Sequence, residues 1–135
     1  MALQFSTGVR NSMLDSIETA VGTAAKLMFY TGSVPANCAA ATTGTKIAEF
    51  DLASDWAAAA SAGAKAFNNL PLSVAAVAAG TLGYFRLFAS DGTTTHMQGT
   101  ITATGGGGDL TVDNTNVANG QTINVTGFTI NAPGA

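Results

Sequence analysis

Four consecutive glycines, Gly105 to Gly108, stand in the stretch TATGGGGDLTVD. A glycine-rich loop can cradle a phosphate through its backbone N–H groups, but only with a lysine behind the last glycine and a helix opening after it. Here Asp109 follows Gly108, and its carboxylate repels a phosphate. Leu110, Thr111 and Val112 then alternate like a strand, so the dinucleotide fingerprint fails for want of the same helix. The glycines are expected to serve the backbone instead, as a flexible reversal between a strand at 97–103 and one at 110–112. Four glycines lose much freedom on folding, so a conformation closed to a Cβ, or close contact with a neighbouring subunit, must justify them.

The other candidate chemistry is equally thin. Asp109 and Asp113 flank a short strand, with Asp91 in a turn. Aspartates four residues apart in a strand sit about 13 Å apart, wider than either glycosidase geometry. Calcium could be held by the oxygens of DLTVDNTN (109–116), but the twelve-residue EF-hand pattern is missing. Zinc needs several Cys and His ligands at close spacing, and the chain has one of each, Cys38 and His96. A Ser-His-Asp hydrolase is formally open, yet no G-x-S-x-G elbow is present. His96 has the parity opposite to the core-facing Met97 and is expected on the surface or at an interface. Cys38, in PANCAAAT, has no basic neighbour to activate it and is expected to be inert. Trp56 with Tyr84, Phe85 and Phe88 could form a sugar-stacking platform or simply be core. The chain is therefore expected to be no enzyme, with no catalytic, cofactor-binding or metal-ligating residues.

Composition supports that expectation. The chain has 135 residues, enough for one domain (1–135) with its own core. Charged residues are 10%, against roughly 25% in ordinary soluble domains. The net charge is -3, and the bases Arg10, Lys26, Lys46, Lys65 and Arg86 are scattered, which argues against a nucleic-acid partner. Much of the 47% hydrophobic content is alanine, so the surface must be rich in Ala, Thr, Ser, Asn and Gly. Such a surface suits a molecule that packs against neighbours. The start, MALQFSTGVRNSMLDS, lacks the basic and apolar regions of a signal peptide. No apolar run approaches the ~20 residues of a membrane span. The expectation is a protein made and assembled inside a cell, with no membrane partner.

The elements that must position these residues follow from periodicity. Ser6 or Thr7 can cap a helix over 7–21, with Gly22 as its stop. Val9, Met13, Ile17 and Val21 recur every four residues with Leu14 beside them, and this narrow apolar stripe is expected to lie on a sheet or a neighbour, with Asp15 and Glu18 pointing elsewhere. From about residue 25 to 131 the period shortens to that of strands. KLMFYTG (26–32), TKIAEFDL (45–52) with Phe50 and Leu52 inward, LPLSVAAVAAG (70–80) entering through Pro71, and LGYFRLFAS (82–90) are strand candidates. DGTT (91–94) turns into THMQGTITAT (95–104), which predicts a hairpin. ASDWAAAASAGAKAFNN (53–69) is open between helix and loop. In TINVTGFTIN (122–131) the alternation slips at Gly127, and a bulge there would put Ile123, Val125, Phe128 and Ile130 on one face. Short Thr-rich strands with frequent turns point to an all-β fold, a jelly-roll-like β-sandwich with one N-terminal amphipathic helix.

The segments ALQFSTGVRNSMLDSIETAVG, VPANCAAATTGTKIAEFDLASDWAAAA, GYFRLFASDGTTTHMQGTIT and GGGGDLTVDNTNVANGQTINVTGFTINAPGA together resemble a family of small virion structural proteins of tailed bacteriophages, of the sort that decorate or cement a capsid. The resemblance spans nearly the whole chain and includes no active-site signature. It implies a β-rich homo-oligomer of the virion, with the major capsid protein and copies of itself as partners. The 7–21 helix and the NAPGA tail are the candidate contacts, because termini can reach across a symmetric assembly. The alternative is a tail- or fibre-associated module that binds host glycan.

Overall fold

The structure, a computed structural model, describes residues 3–68 and 72–135. Helix α1 covers Thr7–Val21, the predicted span. The Ser6 side chain accepts the Val9 N–H at 3.3 Å. Gly22 closes the helix at φ +84°, donating its N–H to the Glu18 carbonyl. The strands that follow are β1 (Lys26–Thr31), β2 (Lys46–Asp51), β3 (Ala64–Ala66), β4 (Leu72–Ala75), β5 (Gly80–Phe88), β6 (Thr95–Ala103), β7 (Leu110–Val112), β8 (Asn116–Val117) and β9 (Thr122–Asn131). The fold is all-β with one N-terminal helix. The expected proline entry at Pro71 lies outside the described residues.

The strands form one curled mixed sheet in the order β2-β1-β5-β6-β7-β9-β3, with β4 also on β9 and β8 on β5. Its far ends come together where the Val77 N–H, just past β4, donates to the Ile47 carbonyl of β2 at 2.8 Å. Phe29, Phe50, Phe85, Ile101, Leu110 and Phe128, from six strands, meet in one apolar cluster inside the curl. Phe128 stacks on Phe67 at 4.4 Å and meets the edge of Phe85 at 5.5 Å.

Two bulges tune this interior. On β9, Gly127 pairs with Thr111 but Val125 with Val112, so Thr126 is the extra residue. Ile123, Val125 and Phe128 are thereby buried and Ile130 packs against the same cluster, as the slipped alternation predicts. On β2, the pairing jumps from Ala48 to Lys46, and Ile47 joins Ala48 and Phe50 inside. Strict alternation would have turned Ile47 outward with Glu49.

β1 and β5 are buried on both faces, which accounts for their nearly unbroken apolar runs. Their outer face carries Met28, Tyr30, Tyr84 and Phe88 with Val34 of the 32–45 loop against them. Arg86, 2% exposed, fastens that loop. Its guanidinium makes five hydrogen bonds, to the Gln98 side chain twice, to Thr42, to Thr95 and to the Asn37 carbonyl. Gln98 in turn donates to the Pro35 carbonyl at 2.7 Å, and the Tyr84 hydroxyl binds both backbone groups of Thr43.

The β5–β6 hairpin forms as predicted. The connection after it does not match the expected reversal, because β6 and β7 are parallel, with Ile101 beside Leu110 and Ala103 beside Val112. Parallel neighbours usually need a crossover of about a dozen residues or more; here the six residues 104–109 suffice. The chain need only back up by two or three residues, and the glycines let it double over Thr102. Gly105 and Gly107 take φ +87° and +83°. A Cβ on Gly106 would lie 2.7 Å from the Thr102 Cβ, and one on Gly108 would lie 2.9 Å from the Thr102 backbone nitrogen. All four glycines are thus required by the chain's own path.

The alanine-rich segment is neither the helix nor the plain loop left open above. Ala57 bridges Phe67, Ser61 bridges Ala64, and β3 pairs with the end of β9. Inward anchoring of Trp56 and Phe67 overrides alanine's helix preference.

Candidate functional site

The features that stand out lie on and around α1. The helix is held to the body by Leu14, Ile17 and Val21 and by its charged and amide side chains. Lys65 of β3 has a side chain only 1% exposed, with its ammonium 2.9 Å from Asp15 Oδ1 and 3.0 Å from Glu18 Oε2. It also donates to the Ala58 carbonyl at 2.8 Å, so all three donors are used. Burial works against the charge of Lys65, but its bonds to Asp15 and Glu18 outweigh that and hold its pKa above the usual lysine value. The Lys65 hydrogen bond, then the Ala60 N–H, hold the Asp15 carboxyl below its ordinary range. Arg10 donates to the Ala132 carbonyl at 3.0 Å and Asn11 accepts the Gly63 N–H at 2.9 Å.

This reverses the predicted orientation in part. Asp15 and Glu18 turn toward the body, because a buried lysine needs them. Val9 and Met13 turn to water, 47% and 37% exposed. Leu3 and Phe5 continue the same exposure at 75% and 37%. With Val77, these are the exposed large apolar side chains among the described residues. Beside Val9 and Met13 run Gly8, Ser12, Ser16 and Ala20, spaced four residues apart and none charged. An ordinary surface helix puts its charges outward and its apolar stripe inward; α1 keeps Arg10, Asp15 and Glu18 on the body.

The sequence-predicted chemistry is dispersed among local roles. Asp91 caps its turn by accepting the Thr93 and Thr94 N–H groups and the Thr94 hydroxyl, which hold its carboxyl well below the usual range, the Thr94 hydroxyl contributing most. Asp109 accepts the backbone N–H and hydroxyl of Thr100 at 2.9 and 3.0 Å. Asp113 binds the side chain and N–H of Asn124 and the N–H of Asn114. Burial tends to raise its pKa, yet these bonds bring it below the ordinary value. The oxygens considered for calcium are thus engaged with strand and turn backbone. Among the described residues no three His, Cys, Asp or Glu side chains gather in a way that could hold a metal ion. His96 is exposed on β6, and Cys38 is a half-buried free thiol in the outer loop. Trp56, Tyr84, Phe85 and Phe88 are all 3% exposed or less, and the Trp56 N–H is spent on the Gly22 carbonyl at 3.1 Å. They form no open platform.

Two hollows remain. One, of about 740 Å³, lies between α1 and the 54–59 segment, with Asp15, Glu18 and Asp55 among its lining; the first two already share the Lys65 ammonium. The other, of about 330 Å³, separates β6 from the end of β9 and is lined by Met97, Gln98, Asp109, Phe128 and Ile130. The five bases, scattered in sequence, are also engaged in space. Lys26 meets Glu49 and Asp51, Lys46 meets Glu49, and Arg10, Lys65 and Arg86 bind as described. No helix among the described residues is long and apolar enough to cross a membrane. No family model matches the chain, and no curated protein or solved structure matches it significantly.

Proposed function

We propose that this chain is a non-enzymatic structural protein of a phage virion, a capsid decoration or cement protein assembled in the host cytoplasm. It binds and stabilises the assembled head through contacts with the major capsid protein and with copies of itself. The observation that carries this reading is the outward face of α1, where Val9 and Met13 stand exposed beside the uncharged Ser12 and Ser16, with the exposed Leu3 and Phe5 just ahead of the helix. Exposed apolar side chains gathered on one face mark an interaction surface, and a protein that binds only the assembled shell stabilises it by mass action. The low charge of the chain and its resemblance to small phage virion proteins point the same way. The glycan-binding alternative draws no support from the aromatic quartet, which is buried.

Copy number in virions that carry the chain is the test. A count on the order of hundreds per particle, in a ratio fixed by capsid symmetry, supports head decoration. A dozen or fewer moves the protein to the tail, and its absence from purified particles sinks the reading.

A further inference from the structure

We propose that the gap between β6 and the end of β9 is a strand-acceptor slot. It takes an extended segment of a different protein, apolar at alternate positions and carrying a basic residue. The slot is separate from the outward face of α1, and its use does not depend on the virion reading.

β7 is shorter than both of its neighbours. Its pairing with β6 begins at Ile101 and Leu110, and its pairing with β9 reaches only from Val112 to Leu110, opposite Phe128. β6 also holds Thr95–Thr100, ahead of that row, and β9 runs past it to Asn131. There β6 stays paired with β5, and β9 with β3. Among the described residues no strand joins the two on the sides that face each other. At Leu110 they stand one strand apart, about 10 Å. Ahead of Leu110 the place of that strand is the hollow of about 330 Å³. The chain leaves it empty by entering β7 over Thr102, whose hydroxyl accepts the Gly108 N–H at 2.9 Å.

The walls of this hollow suit a polypeptide backbone. Along a strand the backbone groups of successive residues turn to opposite edges, so residues two apart share an edge. The Thr100 N–H points to the β7 side, where Asp109 Oδ2 accepts it at 2.9 Å. The register is unbroken back to Gln98, which therefore turns its N–H and C=O to the gap. The Ala132 N–H donates to the Gly63 carbonyl on the β3 side of β9, so Thr129 and Asn131 turn theirs to the gap. Two strand edges thus face each other across one strand width, and an extended segment matches both at once. The side chains sort in the same way. Phe85, Met97, Phe128 and Ile130 line the inward side, and Gln98, Thr129 and Asn131 the outward rim. An inserted strand would set alternate side chains on the apolar floor and the others among the amides and hydroxyl.

Charge selects the source of the strand. Asp109 closes one end of the slot, taking the Thr100 N–H and hydroxyl on Oδ2 where a continuing strand would offer a carbonyl. Among the described residues no salt bridge reaches it. A lysine or arginine on the incoming strand supplies the missing opposite charge. A second copy has none to offer: Lys26, Lys46 and Lys65 are paired with carboxylates, and Arg10 and Arg86 bind acceptors of their own body. The occupant is therefore a segment of another protein.

A capped pentapeptide, lysine followed by two valine–threonine repeats, is the probe. Titrated into the isotope-labelled full chain, it should shift the amide resonances of residues 96–99 and 129–131. It should also slow hydrogen exchange at Gln98, Thr129 and Asn131, with a dissociation constant of roughly 0.1–2 mM. Methylating the valine nitrogens removes strand donors, keeps the side chains, and should weaken binding at least tenfold. Glutamate in place of the lysine should weaken it severalfold. Asp109→Asn, which leaves Thr100 an acceptor, should erase that difference. No shift at about 5 mM peptide, undiminished binding of the methylated peptide, equal binding of the lysine and glutamate peptides, or shifts confined to other residues overturns the proposal. Shifts at 96–99 and 129–131 that follow protein concentration without peptide would give the slot to a second copy and overturn it too.

Discussion

Lys65 on β3 and Asp15 on α1 meet at 2.9 Å, with the lysine side chain 1% exposed and the aspartate side chain 49% exposed. The ammonium is buried and its partner half in water. Removing one end is therefore a different event from removing the other. Without Lys65, Asp15 and Glu18 can rehydrate. Without both carboxylates, a buried ammonium keeps only the Ala58 carbonyl.

Hence Lys65→Met should lower the melting temperature less than the double variant Asp15→Ala/Glu18→Ala. A lone buried charge is costlier than a lost pair replaced by apolar volume. Differential scanning calorimetry on the two variants decides it. Equal losses, or a larger loss for Lys65→Met, would show that the pair is not what sets the cost.

The same pair fixes a pH window. The Asp15 pKa is lowered in the folded state, so its contribution is present above the unfolded value of about 3.9 and is lost as pH falls through the depressed folded value. The Lys65 pKa is raised, so its contribution is present below about 10.4 and is lost as pH rises through the folded value. The docking of α1 should thus be flat between about pH 4 and pH 10 and loosen outside. Trp56, the only tryptophan, binds the Gly22 carbonyl at the helix end, so its fluorescence reports the docking. A transition near neutral pH would contradict the assignment.

Arg86 should be the most sensitive position on the outer face. Arg86→Ala leaves its Gln98, Thr42, Thr95 and Asn37 acceptors without their donor and opens space under the loop, a loss of about 3 kcal/mol or more. Arg86→Lys keeps the charge without the planar fork and should recover only part of it. Hydrogen exchange at residues 33–44 should speed up in both variants. Unchanged protection there would mean that Val34 and Tyr84 hold the loop unaided.

Much of this fold was legible in the sequence because it is local. The cap at Ser6, the stop at Gly22, the DGTT hairpin and the slip at Gly127 each declare themselves within a few residues. The orientation of α1 was not legible, since the reason Asp15 and Glu18 turn inward is Lys65, about fifty residues away. The buried Arg86 was hidden for the same cause: its acceptors come from residues 37, 42, 95 and 98. The glycines showed that the path was unusual but could not show its sense. A six-residue parallel connection lies so far from the usual lengths that a reversal was the natural expectation. Of the candidate site, the spacing of Val9 and Met13 was visible; which way they faced was not.

The glycine quartet should respond to alanine at every position, by two mechanisms. Gly105→Ala and Gly107→Ala force an alanine to positive φ, a cost of about 1–2 kcal/mol each. Gly106→Ala and Gly108→Ala press a methyl onto Thr102, a cost of about 1–3 kcal/mol. Urea unfolding separates these from a mere linker, in which all four substitutions would be neutral or slightly stabilising.

The closure of the sheet rests on Val77 in a way its side chain conceals. That side chain is 59% exposed, so Val77→Ala should change stability by less than about 0.5 kcal/mol. The backbone is another matter, because the Val77 N–H donates to the Ile47 carbonyl where the two ends of the sheet meet. Val77→Pro removes that donor and leaves the carbonyl short of a partner at the seam, at a cost of about 1–3 kcal/mol. If the seam is what joins the ends, amides of β2 and β4 should lose exchange protection together in the proline variant, while those of β5 and β6 keep theirs. Equal stability of the alanine and proline variants would mean that the apolar interior alone holds the curl shut.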